Sequence, residues 1–185
     1  MGVDGLTRLA LKARAGDVDA LEGFVEASYD QVWRFCSGLS DPSNADDLAQ
    51  ETFLRAVRSL PGFRGESAAR TWLLGIARHV CLDHHRSTAR RRRRDSELRS
   101  PGHARRAEWP DASSAVAAGD LLGRLDSDRR LAFVLTALVG LSYSEAAAVC
   151  ECPVGTIRSR VARARSDLIA WLAEAGEAGA ASTSG

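Results

Sequence analysis

The 185-residue chain has 25 basic and 24 acidic side chains, a formal charge of +1, and 45% apolar residues. That apolar share supports one packed domain or two small ones and excludes a wholly disordered chain. No apolar run approaches the roughly 20 residues needed to cross a bilayer, and no basic-then-apolar leader opens the sequence, so a soluble, cytoplasmic protein without membrane insertion is expected.

Apolar residues recur at helical spacing almost throughout, and no strand pattern stands out. Helices are expected over 4–15 and 18–39, the second with Leu21, Phe24, Val25, Val32 and Phe35 on its inner side. Asp41-Pro42-Ser43-Asn44 reads as a turn, with Asn44 as N-cap of a helix over 45–60. That helix should bury Ala49, Phe53, Val57 and Leu60 and leave Asp47, Glu51, Arg55 and Arg58 outside, with Leu48 and Leu54 nearby. Pro61-Gly62 ends it. After a loop, a helix over 69–89 should bury Leu73, Ile76, Ala77 and Val80 and expose a polar stripe, His79, Asp83, Arg86 and Arg90. Trp72 at its start suits a core position or a stacking surface for unpaired bases.

Residues 90–115 break the pattern with five consecutive arginines, Pro101-Gly102 and Pro110. They read as a flexible linker between domains at 1–89 and 116–173, with a tail at 174–185. Helices resume over 116–125, 128–139, 143–150 and 153–173. The fold class is therefore all-α: two small helical domains, the C-terminal one a helix-turn-helix. Ser142 and Glu145 stand at capping-box spacing before the short helix. Pro153, tolerated in a first helical turn, opens the longer one. On that helix Val154, Ile157, Val161, Ala164, Leu168 and Trp171 form one apolar stripe. The opposite face holds Gly155, Ser159, Ala162, Arg163 and Ser166, flanked by Arg158, Arg160 and Arg165. Small residues among arginines suit close approach to a DNA groove, and an incidental Arg face is the plain alternative.

The charge is unevenly spread: net −6 over 1–51, +9 over 52–94, −3 over 95–157, +4 over 158–165 and −3 over 166–185. Basic blocks of this kind are the electrostatic footprint of polyanion binding. Lys12 stands alone beside 24 arginines; Arg is the better ligand for phosphate and base edges, although an Arg-rich genome produces the same ratio. Cys36, Cys81, Cys150 and Cys152 are expected as thiols, because Cys150-x-Cys152 is too tight for a zinc knuckle and has no partner pair. His84 and His85 project about 100° apart on a helix and do not converge on a metal. No metal or cofactor is expected.

Three segments resemble bacterial sigma factors. Asp46-Asp47-Leu48-Ala49-Gln50-Glu51-Thr52-Phe53-Leu54-Arg55 is similar to the core-polymerase-binding segment. Ala69-Arg70-Thr71-Trp72-Leu73 through Asp83-His84-His85-Arg86 is similar to the promoter-opening segment. Leu141-Ser142-Tyr143 with Cys152-Pro153-Val154-Gly155-Thr156-Ile157-Arg158-Ser159-Arg160 through Arg163-Ala164-Arg165 is similar to the segment that reads the −35 element. The order is that of the family, and the length resembles the two-domain extracytoplasmic-function (ECF) type. The resemblance implies a non-enzymatic subunit that confers promoter specificity, promotes melting and is then released. Asp46, Asp47, Gln50, Glu51 and Arg55 would dock on the clamp helices of the largest core RNA polymerase subunit, and the second domain would meet the flap of the second subunit. Arg64, Arg70, Trp72, His79, Asp83 and Arg86 would hold the −10 element. Thr156, Arg158, Ser159, Arg160 and Arg163 would hold the −35 element. An anti-sigma factor is a further partner the family implies. Where many relatives have Ala-Arg-Asn, this chain has Ala77-Arg78-His79. Asn offers donor and acceptor side by side and His on opposite ring edges, so the family's −10 base preference is not carried over.

Overall fold

A computed structural model describes residues 4–97 and 114–182, and every regular element among them is helical. Asp4 caps α1 (Gly5–Arg14), accepting the Thr7 backbone N–H at 2.9 Å and the Thr7 hydroxyl at 2.6 Å. Those bonds, led by the hydroxyl, hold the Asp4 carboxyl below its usual range. Thr7 Oγ1 in turn accepts the Ala69 N–H at 2.8 Å, which ties the start of α4 (Ala69–Glu97) to α1. Asp17 caps α2 (Val18–Leu39) through the Ala20 N–H. α2 buries Phe24, Val32, Phe35 and Cys36 against α3 (Ala45–Ser59) and α4.

Several details depart from the sequence expectations. Asn44 makes no side-chain cap; a 3-10 turn over Pro42–Asn44 runs straight into α3, and Asp41 caps that turn through the Ser43 N–H. The buried stripe of α3 is Ala45, Leu48, Ala49, Thr52, Phe53 and Ala56. Leu48 is thus inside and Val57 is 43% exposed, because the stripe faces both α2 and α4 and its centre is turned toward Leu48. α4 continues to Glu97, through the arginine run that was read as linker. Arg is a good helix former, and no Gly or Pro interrupts 76–97. The remaining linker residues, 98–113, lie outside the described residues.

The C-terminal half comprises α5 (Ser114–Arg124), α6 (Ser127–Phe133), a π-helical turn over Val134–Leu138, α7 (Tyr143–Cys150) and α8 (Val154–Ser182). α8 runs past 173 into the expected tail. Asp126 caps α6 through the backbone N–H groups of Asp128 and Arg129. Ser142 and Glu145 form the reciprocal capping box at α7. Hydrogen bonding to Ser142 keeps the Glu145 carboxyl below its usual range. Glu151 ends α7 at φ 54°, a left-handed conformation that a non-glycine residue rarely adopts. Ile157, Val161 and Ala164 are buried as the stripe requires, whereas Val154 is 41% exposed at the first turn. A smaller cluster joins Leu122, Leu125 and Ala164, with the Arg124 guanidinium 4.4 Å from the Trp171 ring centroid.

One continuous buried cluster spans both halves, from Phe24 and Phe35 to Val134, Leu135, Val139 and Ile157. The junction is tight at Gly38 on α2: a Cβ there would lie 2.9 Å from both Cγ1 and Cγ2 of Val134. Polar ties flank it. Arg130 Nε donates to the Gly38 carbonyl at 2.7 Å, and the Val139 carbonyl accepts from Gln31 Nε2 at 3.3 Å and Arg70 Nη2 at 2.5 Å. Gly38→Ala gains about 1 kcal/mol of helix propensity in α2 but drives a methyl into a β-branched side chain with little freedom to move. That overpacking costs about 1–3 kcal/mol and falls on the junction. In hydrogen exchange, amides over 134–141 should exchange faster in Gly38→Ala while those of α2 do not. Unchanged exchange over 134–141 would mean that the halves do not meet here.

Candidate nucleic-acid and partner interfaces

α3 presents one outward face. Asp47, Gln50 and Leu54 are exposed. Asp46 is tied to α2, accepting from Trp33 Nε1 at 2.9 Å and the Tyr29 hydroxyl at 3.2 Å. Arg55 links two helices: its Nε donates to Glu51 at 2.7 Å and its Nη1 to Asp83 on α4 at 2.9 Å. Asp83 and Glu51 thereby hold the Arg55 guanidinium above its ordinary pKa, and Arg55 keeps the Asp83 carboxyl low. Residues the sequence assigned to polymerase (Glu51, Arg55) and to DNA (Asp83) thus form one bridge. The bridge is solvent-accessible, so it orients these groups more than it stabilises the fold.

The loop before α4 forms a concave pocket of about 310 Å³, lined by Phe63, Arg64, Gly65, Glu66, Ser67 and Trp72. Gly65 makes the turn possible at φ +72°. Trp72 is half-buried, with its ring 4.8 Å from Phe63 and 6.5 Å from Phe24; one side is core and the other lines the pocket. Arg64 stays exposed, 3.9 Å from Glu66. Along α4 the expected stripe of His79, Asp83, Arg86 and Arg90 is exposed. His79 Nδ1 lies 2.8 Å from the Gly75 carbonyl, which can only accept. Nδ1 therefore donates to that carbonyl, which leaves Nε2 for an outside partner.

On α8, Gly155, Arg158, Ser159, Ala162, Arg163 and Ser166 are exposed, as the wheel requires, with Thr156 half-buried at the edge. Ser159 Oγ donates back to the Thr156 carbonyl. Arg160 departs from the outward set: it pairs with Asp128 of α6, and its Nη1 lies 3.8 Å from the Cys152 sulfur. Arg129 braces the same helix pair, reaching Asp167 at 2.6 Å and Asp126 at 2.8 Å.

The junction covers part of this surface. Arg70 is capped by the Val139 carbonyl, and Arg78 faces Glu151 of the helix-turn-helix turn at 3.8 Å. Nε of Arg70 and Nε of Arg78 are buried with no hydrogen-bond partner among the described residues. Sequence reasoning missed Arg78, Arg130, Asp128 and Glu151 as interface groups. Arg160 and Asp128 are 32 positions apart, and no local period links them. Among the described residues no group of His, Cys, Asp or Glu is arranged to hold a metal, and no helix is long and apolar enough to cross a membrane.

Residues 24–91 match the family description Sigma-70 region 2, and residues 115–168 match Sigma-70, region 4. The ECF RNA polymerase sigma factor SigC of Mycobacterium tuberculosis is 50% identical over 173 residues, covering 90% of this chain and 91% of its own. The chain belongs to the sigma-70 family, in its ECF group. EcfG, an ECF sigma factor of Rhodopseudomonas palustris, is 38% identical over 83% of this chain and 86% of its own. Among solved structures, CnrH in complex with the cytosolic domain of CnrY superposes with a TM-score of 0.74 at 28% identity, covering 92% of this chain and 99% of that one. The sigma factor RpoE of Bartonella quintana, solved with the anti-sigma factor NepR, gives 0.67 at 29% identity, covering 82% and 95%. In this sigma factor the two matched regions correspond to the two packed halves.

Arg163 is the exposed arginine at the centre of the outward face of α8. Arg163→Ala should weaken binding to a −35 duplex by about 1–3 kcal/mol if it reads a base edge, or lower the salt slope by about one if it holds phosphate. Titration by fluorescence anisotropy at several salt concentrations separates the two. Unchanged affinity at every salt concentration would remove Arg163 from the interface.

Proposed function

We propose that this chain is an ECF sigma factor that acts in the cytoplasm, brings core RNA polymerase to promoters, opens the −10 element and is then released. It has no catalysis of its own. Residues 1–89 form the polymerase and −10 domain and residues 116–173 the −35 domain. The observation that carries the reading is the pairing of two separate DNA-suited faces in one small chain. One is the capped helix-turn-helix whose second helix turns Arg158, Ser159 and Arg163 outward. The other is the loop pocket and polar stripe of α4.

Asp47, Gln50, Glu51 and Arg55, with exposed Leu54, suit the clamp helices of the largest subunit, with Asp46 positioned behind them. Core polymerase also engages the −35 domain through the flap of the second subunit. The Trp72–Arg64 pocket suits capture of an unstacked base, and His79, Asp83 and Arg86 line the path of the separated strand. Arg70 and Arg78 join that path once the halves part. In the closed chain each guanidinium leaves a buried Nε without a partner among the described residues, and phosphate offers one. Docking on polymerase, which engages each domain at its own place, would separate them. An anti-sigma factor is the expected regulatory partner, as for the two solved relatives.

Run-off transcription with core polymerase on fragmented genomic DNA tests this reading. Discrete transcripts should appear only when chain and core are both present. Their absence from an otherwise active core would overturn the function. Glu51→Arg should weaken core binding while the thermal melt stays close to that of the parent, since Arg55 keeps Asp83. Unaltered core binding would move the interface off α3.

A further inference from the structure

The mechanism above leaves one nucleophilic pair unused. Cys36 of α2 and Cys81 of α4 are both buried, and their sulfur atoms stand 3.9 Å apart. Cys81 also lines a cavity of about 270 Å³ between the two halves, among Leu39, Leu82, Leu125, Leu131 and Arg130. Water takes roughly 30 Å³ in the liquid, so a small peroxide fits that space beside the sulfur. Arg130 lines the same cavity as Cys81; its charge favours the Cys81 thiolate, while burial of the thiol opposes it.

We propose that Cys36 and Cys81 form a peroxide-reactive thiol pair, with Cys81 the attacking sulfur and Cys36 the resolving one. Cys81 lines the cavity and Cys36 is not among its lining residues, so a peroxide held there meets Cys81 first. Contact with Cys36 chiefly lowers the Cys81 thiol against the opposing effect of burial, with the charge of Arg130 a minor aid, while contact with Cys81 and burial raise that of Cys36. The Cys81 thiolate attacks one peroxide oxygen, the O–O bond breaks, and the departing oxygen takes a proton to leave as water or alcohol. Cys81 is then a sulfenic acid. The Cys36 sulfur attacks it, the S–O bond breaks, and hydroxide leaves with the Cys36 proton as water. Two thiols lose two electrons and one peroxide gains them. The sulfurs must close from 3.9 Å to about 2.05 Å to form the bond. The new bond ties α2 to α4, the helices on which the C-terminal half docks.

The other thiols are built differently. Burial pushes Cys150 up to about 11, and Cys152 faces Arg160 from a half-buried position in the helix-turn-helix turn. This inference does not depend on the sigma-factor function, and its test needs no polymerase. The full-length chain is treated with hydrogen peroxide, quenched, alkylated and mapped by peptide mass. A Cys36–Cys81 disulfide should form first, with that pair consumed about tenfold faster than Cys150 or Cys152, and thiol reductant should restore it. Cys36→Ser should stop at a sulfenic acid on Cys81 captured by dimedone, and Cys81→Ser should give no adduct on Cys36. The parent chain's map stands whether or not those variants fold. Oxidation confined to Cys150 or Cys152, or free Cys36 and Cys81 after treatment, would overturn the proposal.

Discussion

The close approach of Gly38 to Val134 governs the arrangement of the whole chain. Only a residue without a side chain lets α2 meet the π-helical turn over Val134–Leu138 at this distance. Through that contact two halves that each bury a modest core share one, from Phe24 to Ile157. Small helical domains bury a limited fraction of their surface, so merging the cores stabilises both. The turn also ends at the Val139 carbonyl, which binds Arg70 and Gln31, so apolar contact and polar ties close together.

The same contact carries a cost that bears on function. Closing the seam buries the Nε of Arg70 and of Arg78 without a partner among the described residues, and desolvating such groups costs free energy without full pairing. Apolar burial holds the seam shut while its guanidiniums favour a phosphate-rich setting. Such a balance is suited to a chain that stays closed when free and opens on a large partner. The charge distribution fits this picture: the net −6 of residues 1–51 offsets most of the net +9 of residues 52–94 within one half, which limits attraction of the free chain to DNA.

Much of the fold was legible in the sequence because its rules are local. The Ser142–Glu145 capping box, the inner stripe of Ile157, Val161 and Ala164, and the exposed stripe of His79, Asp83 and Arg86 all follow from spacing within one or two turns. Tertiary choices were not legible. Leu48 and Val57 exchanged places because α3 faces two neighbours, and one period cannot say where its stripe is centred. The arginine run at 90–94 looked like a linker by charge, yet propensity carried α4 through it. Arg160 lies beside the outward face on the wheel, but an aspartate 32 positions away claims it. Arg78 drew notice only as a neighbour of His79, while the fold places it against Glu151 at the seam.

The central claim is that the two DNA-facing halves are packed together in the free chain and separate on core polymerase. Fluorophores attached through unnatural amino acids at exposed Ser59 and Ser166 report the distance between α3 and α8 by energy transfer. The account predicts high transfer in the free chain, a large fall when core polymerase is added, and low transfer in free Gly38→Ala. Low transfer in the free parent chain, or transfer unchanged by bound polymerase, would contradict it.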